Sequence, residues 1–288
     1  MTGTYRIAGL TTMALIAFAA NSIFCRFALG DQTIDAASFT TVRLLSGALT
    51  LACIVLLTRR GSPFQSGNWI SASMLFLYAV TFSFAYISLS AGTGALILFG
   101  AVQITMILSG LIAGERPRLL EWLGLLAALG GLVYLVLPGL SAPSPLGSAL
   151  MALAGIAWGV YSLRGRGIDD PVANTTGNFV RAAPLALIVS LIALSNYSLS
   201  PKGALLAVLS GALASGLGYV IWYAALRDLT ATRAATVQLA VPVIAAIGGI
   251  FFLAEAVTLR LTFASIAILG GVGLAISRRT KETESNAK

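Results

Sequence analysis

Two arginines stand inside otherwise apolar stretches: Arg43 within Phe39–Thr58 and Arg181 within Thr175–Ser195. A cation at the centre of a bilayer costs roughly 2.5–3.5 kcal/mol, so each marks a candidate site. One reading is snorkelling, or pairing with backbone carbonyls. The other is binding or gating of a substrate carboxylate. A second group is aromatic: Tyr78, Phe82 and Tyr86 are spaced by four and share one helical face. Ser215, Tyr219 and Tyr223 share another, with Trp222 beside them. Terminal rings of this kind can form an interfacial belt, whereas Tyr78, Phe82 and Tyr219 lie deeper and are expected to line a cavity. Pro242 has no N–H to bond the carbonyl of Gln238, which leaves a free acceptor beside a polar amide. Asn21, Gln103, Trp158 and Tyr161 complete the candidates, and Asn21 can equally serve as an interhelical hydrogen bond.

Other chemistry is missing. Histidine is absent, which removes the commonest general base and most metal sites. Cys25 and Cys53 both fall in apolar stretches and read as small hydrophobes. Glu115, Glu121 and Glu255 sit at the ends of apolar runs rather than inside them. Intramembrane hydrolysis needs a Ser with a base, paired carboxylates or a metal. An enzyme is therefore disfavoured, and neither a metal nor a cofactor is expected. The same absence of a buried acid or His favours facilitated diffusion or exchange over proton coupling.

The elements that must position these groups are membrane helices. Of 288 residues, 58% are hydrophobic and 10% charged, with a mean hydropathy of +0.92. A soluble domain carries roughly 25% charged residues. Apolar runs long enough to cross a bilayer are expected near Ile7–Phe27, Phe39–Thr58, Trp69–Leu89, Thr93–Ala113, Leu119–Leu137, Leu146–Leu163, Thr175–Ser195, Gly203–Leu226, Thr232–Ala254 and Leu261–Ser277. Short connections rich in Gly, Pro, Asp and Ser separate them. Arg6, Arg59, Arg60, Arg116, Arg118, Arg164, Arg166, Arg227, Arg233 and the basic tail fall on one side; Arg26, Lys202 and Arg260 fall on the other. The positive-inside rule then puts both termini in the cytoplasm. It also accounts for the net charge of +8 without nucleic acid.

The second half echoes the first at an offset of about 138–140 residues. Arg26 matches Arg164, Val42-Arg43 matches Val180-Arg181, Glu115 matches Glu255, and Gly130-Gly131 matches Gly270-Gly271. Tyr86-Ile87-Ser88-Leu89 matches Tyr223-Ala224-Ala225-Leu226. Five spans per half force the second half to enter the membrane from the opposite side. The expectation is an all-α membrane protein of ten transmembrane helices, arranged as two inverted five-helix repeats over 1–140 and 141–277, followed by a cytoplasmic basic tail at 278–288. Such repeats place a substrate site near the midplane, between the halves.

Ala157-Trp158-Gly159 opening the second half, Arg43 and Arg181, the two Tyr-x-x-Leu segments, and Glu115 and Glu255 with their following glycine pairs resemble the EamA type of the drug/metabolite transporter superfamily. Among its members the chain looks most similar to aromatic amino-acid exporters of the YddG type. The first half departs from the pattern, with Ala20-Asn21 in place of Trp158-Gly159 and Val102 in place of Pro242. The resemblance implies a monomeric inner-membrane carrier working by alternating access. It would export small metabolites, aromatic and other neutral amino acids first among them. Tyr78, Phe82, Trp158, Tyr161, Ser215, Tyr219 and Gln238 would then bind substrate, while Asn21, Arg43, Arg181 and Pro242 would support or gate the site. A drug or nucleotide-sugar carrier is the alternative within the superfamily. Phosphorylated substrates would want more than two buried cations.

Overall fold

The computed structural model describes residues 2–58, 65–112, 114, 119–137, 139, 142–165, 168–226 and 237–277. The expected basic tail, Glu115, the start of the ninth expected span, and Arg59, Arg60, Arg116, Arg118, Arg166, Arg227 and Arg233 lie outside these residues.

Helices run in the order α1 (Thr2–Gly30), α2 (Ala36–Leu57), α3 (Trp69–Ala85), α4 (Ala91–Ile112), α5 (Leu119–Val136), α6 (Pro145–Arg164), α7 (Pro171–Ile192) and α8 (Pro201–Val208). A π-helical segment (Leu209–Leu217) joins α8 to α9 (Gly218–Leu226), and α10 (Ala240–Leu253) and α11 (Leu259–Ser277) follow. Among the described residues the only β-pairing is an isolated bridge between Ile34 and Leu199. Among the described residues six helices are long and apolar enough to cross a membrane, and four shorter apolar helices accompany them.

Polar residues set the helix starts. Asp35 accepts a hydrogen bond from the backbone N–H of Ser38, and Asn68 from that of Ser71. Three starts in the second half couple a polar cap to a proline. Ser144 precedes Pro145, Asp170 precedes Pro171, and Ser200 precedes Pro201. The side chain satisfies an orphan N–H, and the proline sits where its missing donor costs nothing.

Two expectations need correction. The eighth helix is not regular: Leu209–Leu217 follows π geometry between two α-helical pieces. The ninth is broken by a turn at Leu239, so Pro242 lies in the first turn of α10 rather than at mid-helix. That is a place where proline disrupts no bond.

The distribution of polarity is that of a chain bathed in lipid. Ile112 is 88% exposed, Leu57 83% and Phe251 80%, while Asn178, Thr175, Ser83 and Ser210 are fully buried. Large apolar side chains face out because nothing outside penalises them, and polar side chains turn inward to find partners.

Packing between the halves is reciprocal. α2 packs on α7, α5 on α11 and α4 on α10, each on the helix at the matching position of the other half. α3 packs on α6 as the α8–π–α9 rod packs on α1. α4 packs on α6 as α10 packs on α1.

Connections tie the two ends of the bundle. At one end the backbone N–H groups of Asp35 and Ser200 donate to the carbonyls of Ser198 and Thr33, both at 2.9 Å, and Lys202 pairs with Asp31 at 2.9 Å. At the other, the backbone N–H of Asn68 donates to Asn178 Oδ1 at 3.0 Å.

Candidate functional site

A small cavity lies where α1, α3, α4, α6 and the π segment converge. It measures about 20 Å³, on the order of one water molecule. Tyr78, Phe82, Trp158, Ser215 and Tyr219 line it, together with Asn21. The remaining lining comes from Phe18, Ser22, Leu98, Phe99 and Ala214.

The rings close on one another. Trp158 stacks on Tyr219 at 5.2 Å and on Tyr161 at 5.5 Å, and lies 4.9 Å from Tyr78. Tyr78 meets Phe82 at 5.3 Å, and Phe18 meets Tyr219 edge-on at 5.9 Å. Offset and edge contacts of this kind are each worth about 0.5–1.5 kcal/mol beyond area burial. Trp158 is therefore the hub of a ring cage drawn from both halves of the chain.

Behind the rings runs a polar thread. Ser210 Oγ donates to Asn21 Oδ1 at 2.5 Å, and Asn21 Nδ2 donates to the Tyr78 hydroxyl at 3.2 Å. Arg43 Nη2 donates to the same hydroxyl at 2.9 Å. With two donors already directed at its oxygen, the hydroxyl keeps its own proton to offer elsewhere. The Arg43 guanidinium carbon lies 5.1 Å from the Tyr78 ring centre and 4.9 Å from that of Phe82. Those π faces offset part of the buried charge. The residue is only 2% exposed, and its Nε and Nη1 have no hydrogen-bond partner among the described residues.

Arg181 is placed quite differently. Its Nη1 donates to the carbonyls of Ser66 at 2.6 Å and Gly177 at 2.9 Å. It ties α7 to the connection before α3, away from the cavity. The two arginines occupy matching sequence positions, yet one anchors backbone and the other adjoins the ring cage.

Other candidates lie beside the cavity rather than in its wall. Tyr161 stacks on Trp158, but its hydroxyl belongs to a separate cluster: it accepts from Asn178 Nδ2 at 3.4 Å and donates to Thr175 Oγ1 at 3.5 Å, which in turn donates to Tyr223 at 3.2 Å. Gln238 is half-buried and outside the lining. Its neighbour Val237, also half-buried, packs against the cluster of Ala14 and Trp222. Pro242 is buried in α10, also outside the lining. Gln103 is buried, and its Nε2 has no partner among the described residues.

Reading by α-helical spacing missed Ser210, because the π segment shifts the register of its stretch. The sequence hint was its run of small residues, Ser210-Gly211 and Ser215-Gly216-Leu217-Gly218. It also missed the partners of Glu255. Both carboxylate oxygens lie 2.9 Å from the Ala91 backbone N–H at the start of α4. Arg26 Nε stands 3.4 Å from the same carboxylate, and Arg26 Nη1 donates to the carbonyls of Tyr86 and Ile87 at 3.2 Å.

A larger recess of about 760 Å³ opens between α4, α5 and α6. Its lining is mainly apolar, with Ile104, Leu108, Ile112, Ile156 and Val160 among its side chains, and includes Arg164. It has few converging polar groups, the feature that gives a ligand site its specificity.

Comparison with known proteins identifies the lineage. A model of the EamA-like transporter family matches residues 7–137 and again 145–277. A Pseudomonas aeruginosa protein described only as uncharacterised is 52% identical over 94% of each chain. An uncharacterised transporter of Archaeoglobus fulgidus is 26% identical over 70% of this chain and 74% of its own. The uncharacterised transporter YoaV of Bacillus subtilis is 22% identical over 85% of this chain and 88% of its own. A solved crystal structure, 20% identical, superimposes with a TM-score of 0.65 over 92% of this chain and 95% of that one. At that identity the likeness concerns the fold alone.

Proposed function

The chain belongs to the EamA-like transporter family, and within it we propose that it exports aromatic and other large neutral amino acids through the ring-lined cavity. It is a multi-pass membrane transporter of the drug/metabolite superfamily. The observation that carries the substrate class is the stacking of Trp158 between Tyr219 and Tyr161, against Tyr78. Aromatic faces so disposed can exchange ring–ring contacts among themselves for contacts with a substrate ring. The cost of opening is thereby offset for aromatic cargo and not for small polar cargo. This favours the YddG-like reading over a nucleotide-sugar carrier.

The transport cycle we infer is alternating access in the bacterial inner membrane. Reciprocal packing of the halves and the double match to one family model support an inverted pair of five-helix units, ten spanning helices in all. Both termini then face the cytoplasm, and the Glu255–Arg26 pair lies on the outer side. The π segment supports the same cycle. Its wide turns frequently occur at functional sites, and here they carry Ser210 and Ser215 into the site. The test is counterflow in liposomes containing the purified protein. Labelled phenylalanine should accumulate against internal unlabelled phenylalanine, and alanine should compete weakly. Equal competition by phenylalanine, alanine and an unrelated sugar would refute the assignment. An impermeant reagent reacting in intact cells with a cysteine placed at the C-terminus would refute the orientation.

A further inference from the structure

We propose that the group recognised at the base of this cavity is the substrate's carboxylate, and that Arg43 selects it by charge, so that the transported class extends to aromatic carboxylates lacking an amino group. The inference rests on the transport reading above and sharpens it to one functional group.

The cavity has a one-sided electrostatic character. Arg43 is buried beside it, and the Glu255 carboxylate is engaged elsewhere, by the Ala91 N–H and Arg26. Around the cavity the polar side chains are Asn21, Ser22, Tyr78, Ser215 and Tyr219. None of them is anionic. Arg43 donates to Tyr78 through one nitrogen, and two further donors, Nε and Nη1, have no partner among the described residues. Buried donors are ordinarily satisfied, and an unsatisfied one in a native site calls for an explanation. The two ring faces at 5.1 and 4.9 Å soften the charge but are not oxygen or nitrogen acceptors for its N–H groups.

The Tyr78 hydroxyl carries the effect toward the cavity. It accepts from Asn21 and from Arg43 and retains one proton to donate. Two donors polarise it and strengthen the bond it gives. The site therefore presents hydrogen-bond donors under a positive field and, among the described residues, no anionic group for an ammonium. In a medium of low dielectric constant, that field strongly favours an anion over a cation. A carboxylate satisfies both demands, while an ammonium can meet only ring faces. The ring cage above binds the apolar body. The chemistry that fits is an aromatic body bearing a carboxylate, with the α-amino group dispensable.

Equilibrium binding to the purified protein tests this, with labelled phenylalanine and labelled 3-phenylpropionate measured separately. Phenylalanine amide and phenethylamine serve as competitors that lack the carboxylate. The expected result is that both labelled acids bind within about fivefold of each other, and that the amide and the amine compete at least tenfold more weakly. A factor of ten corresponds to about 1.4 kcal/mol. The R43K variant should keep the preference, and R43Q should erase it. Competition by the amide or the amine equal to that of the acids overturns the proposal, as does an unchanged preference in R43Q. If R43Q fails to fold, the competitor series on the unaltered protein and on R43K still decides. Binding of 3-phenylpropionate without phenylalanine would uphold carboxylate selection and refute amino-acid export. Binding of neither would refute both.

Discussion

The Tyr78 hydroxyl accepts hydrogen bonds from Asn21 on α1 at 3.2 Å and from Arg43 on α2 at 2.9 Å. One oxygen thus joins three helices of the first half. Ser210, on the π segment of the second half, completes the thread through Asn21. Replacing Tyr78 by Phe keeps the ring contacts with Trp158 and Phe82 while removing the acceptor. Arg43 would then lose its one described hydrogen-bond acceptor. Leaving a buried charged group unsatisfied costs roughly 1–3 kcal/mol or more. Y78F should therefore lower the thermal midpoint of the purified protein by several degrees and weaken substrate binding. A midpoint and affinity equal to the unaltered protein's would remove Tyr78 from the thread.

Gly211 is the residue against which α2 is seated. A Cβ there would collide with the Arg43 carbonyl and the Ser46 Oγ bonded to it, both on α2. G211A should cost about 1–3 kcal/mol by overpacking, read as a lower thermal midpoint and weaker binding. Gly130 and Gly270 have open space where a Cβ would go, and alanine at either should be close to neutral. Equal behaviour of all three variants in a melting experiment would contradict the close packing at the π segment.

Glu255 caps the first turn of α4 and pairs with Arg26. A carboxylate at a helix N-terminus is favourable both as a cap and through the helix dipole, each typically worth about 1 kcal/mol or less. E255Q retains an acceptor and loses the charge, so it should destabilise less than E255A. Both variants should loosen the junction of α1, α4 and α10. A cysteine placed at Ser90 should become more reactive toward an impermeant thiol reagent in E255A. Unchanged reactivity would show that the pair does not hold that junction closed.

No carboxylate or histidine lines the cavity among the described residues. An imposed pH gradient should therefore not drive uphill accumulation of phenylalanine in liposomes. Gradient-driven accumulation that collapses with a protonophore would instead require a proton-carrying group elsewhere in the path.

Much of the fold was legible because bilayer helices announce themselves by length and hydropathy, and because rare charged residues recur in register between the halves. Tyr78, Phe82 and Tyr219 were legible as cavity residues from their four-residue spacing on apolar helices. Arg43 and Arg181 were not distinguishable. They look alike in sequence, and only three-dimensional packing gives one to backbone carbonyls and the other to the ring cage. Gln238, expected in the cavity wall, lies outside the lining: a turn at Leu239 interrupts the helix leading into Pro242, which α-helical spacing does not encode. Glu255 looked like a boundary residue because its partners, Ala91 and Arg26, are far away in sequence. The π segment was hidden because nothing in α-helical periodicity encodes an i→i+5 register.

The ring cage leads to the most direct measurement of all: counterflow of labelled phenylalanine and labelled alanine in liposomes containing either the unaltered protein or W158A. Trp158 contacts Tyr78, Tyr161 and Tyr219, so its removal deletes the contact surface shared by all three. Loss of an aromatic contact worth about 0.5–1.5 kcal/mol corresponds to a roughly two- to twelve-fold change. The expected result is a loss of phenylalanine affinity by that factor, with alanine affinity changed less than twofold. Phenylalanine counterflow unaffected by W158A, Y219A and F82A, each shown to be folded and inserted, would contradict the ring cage as the substrate site.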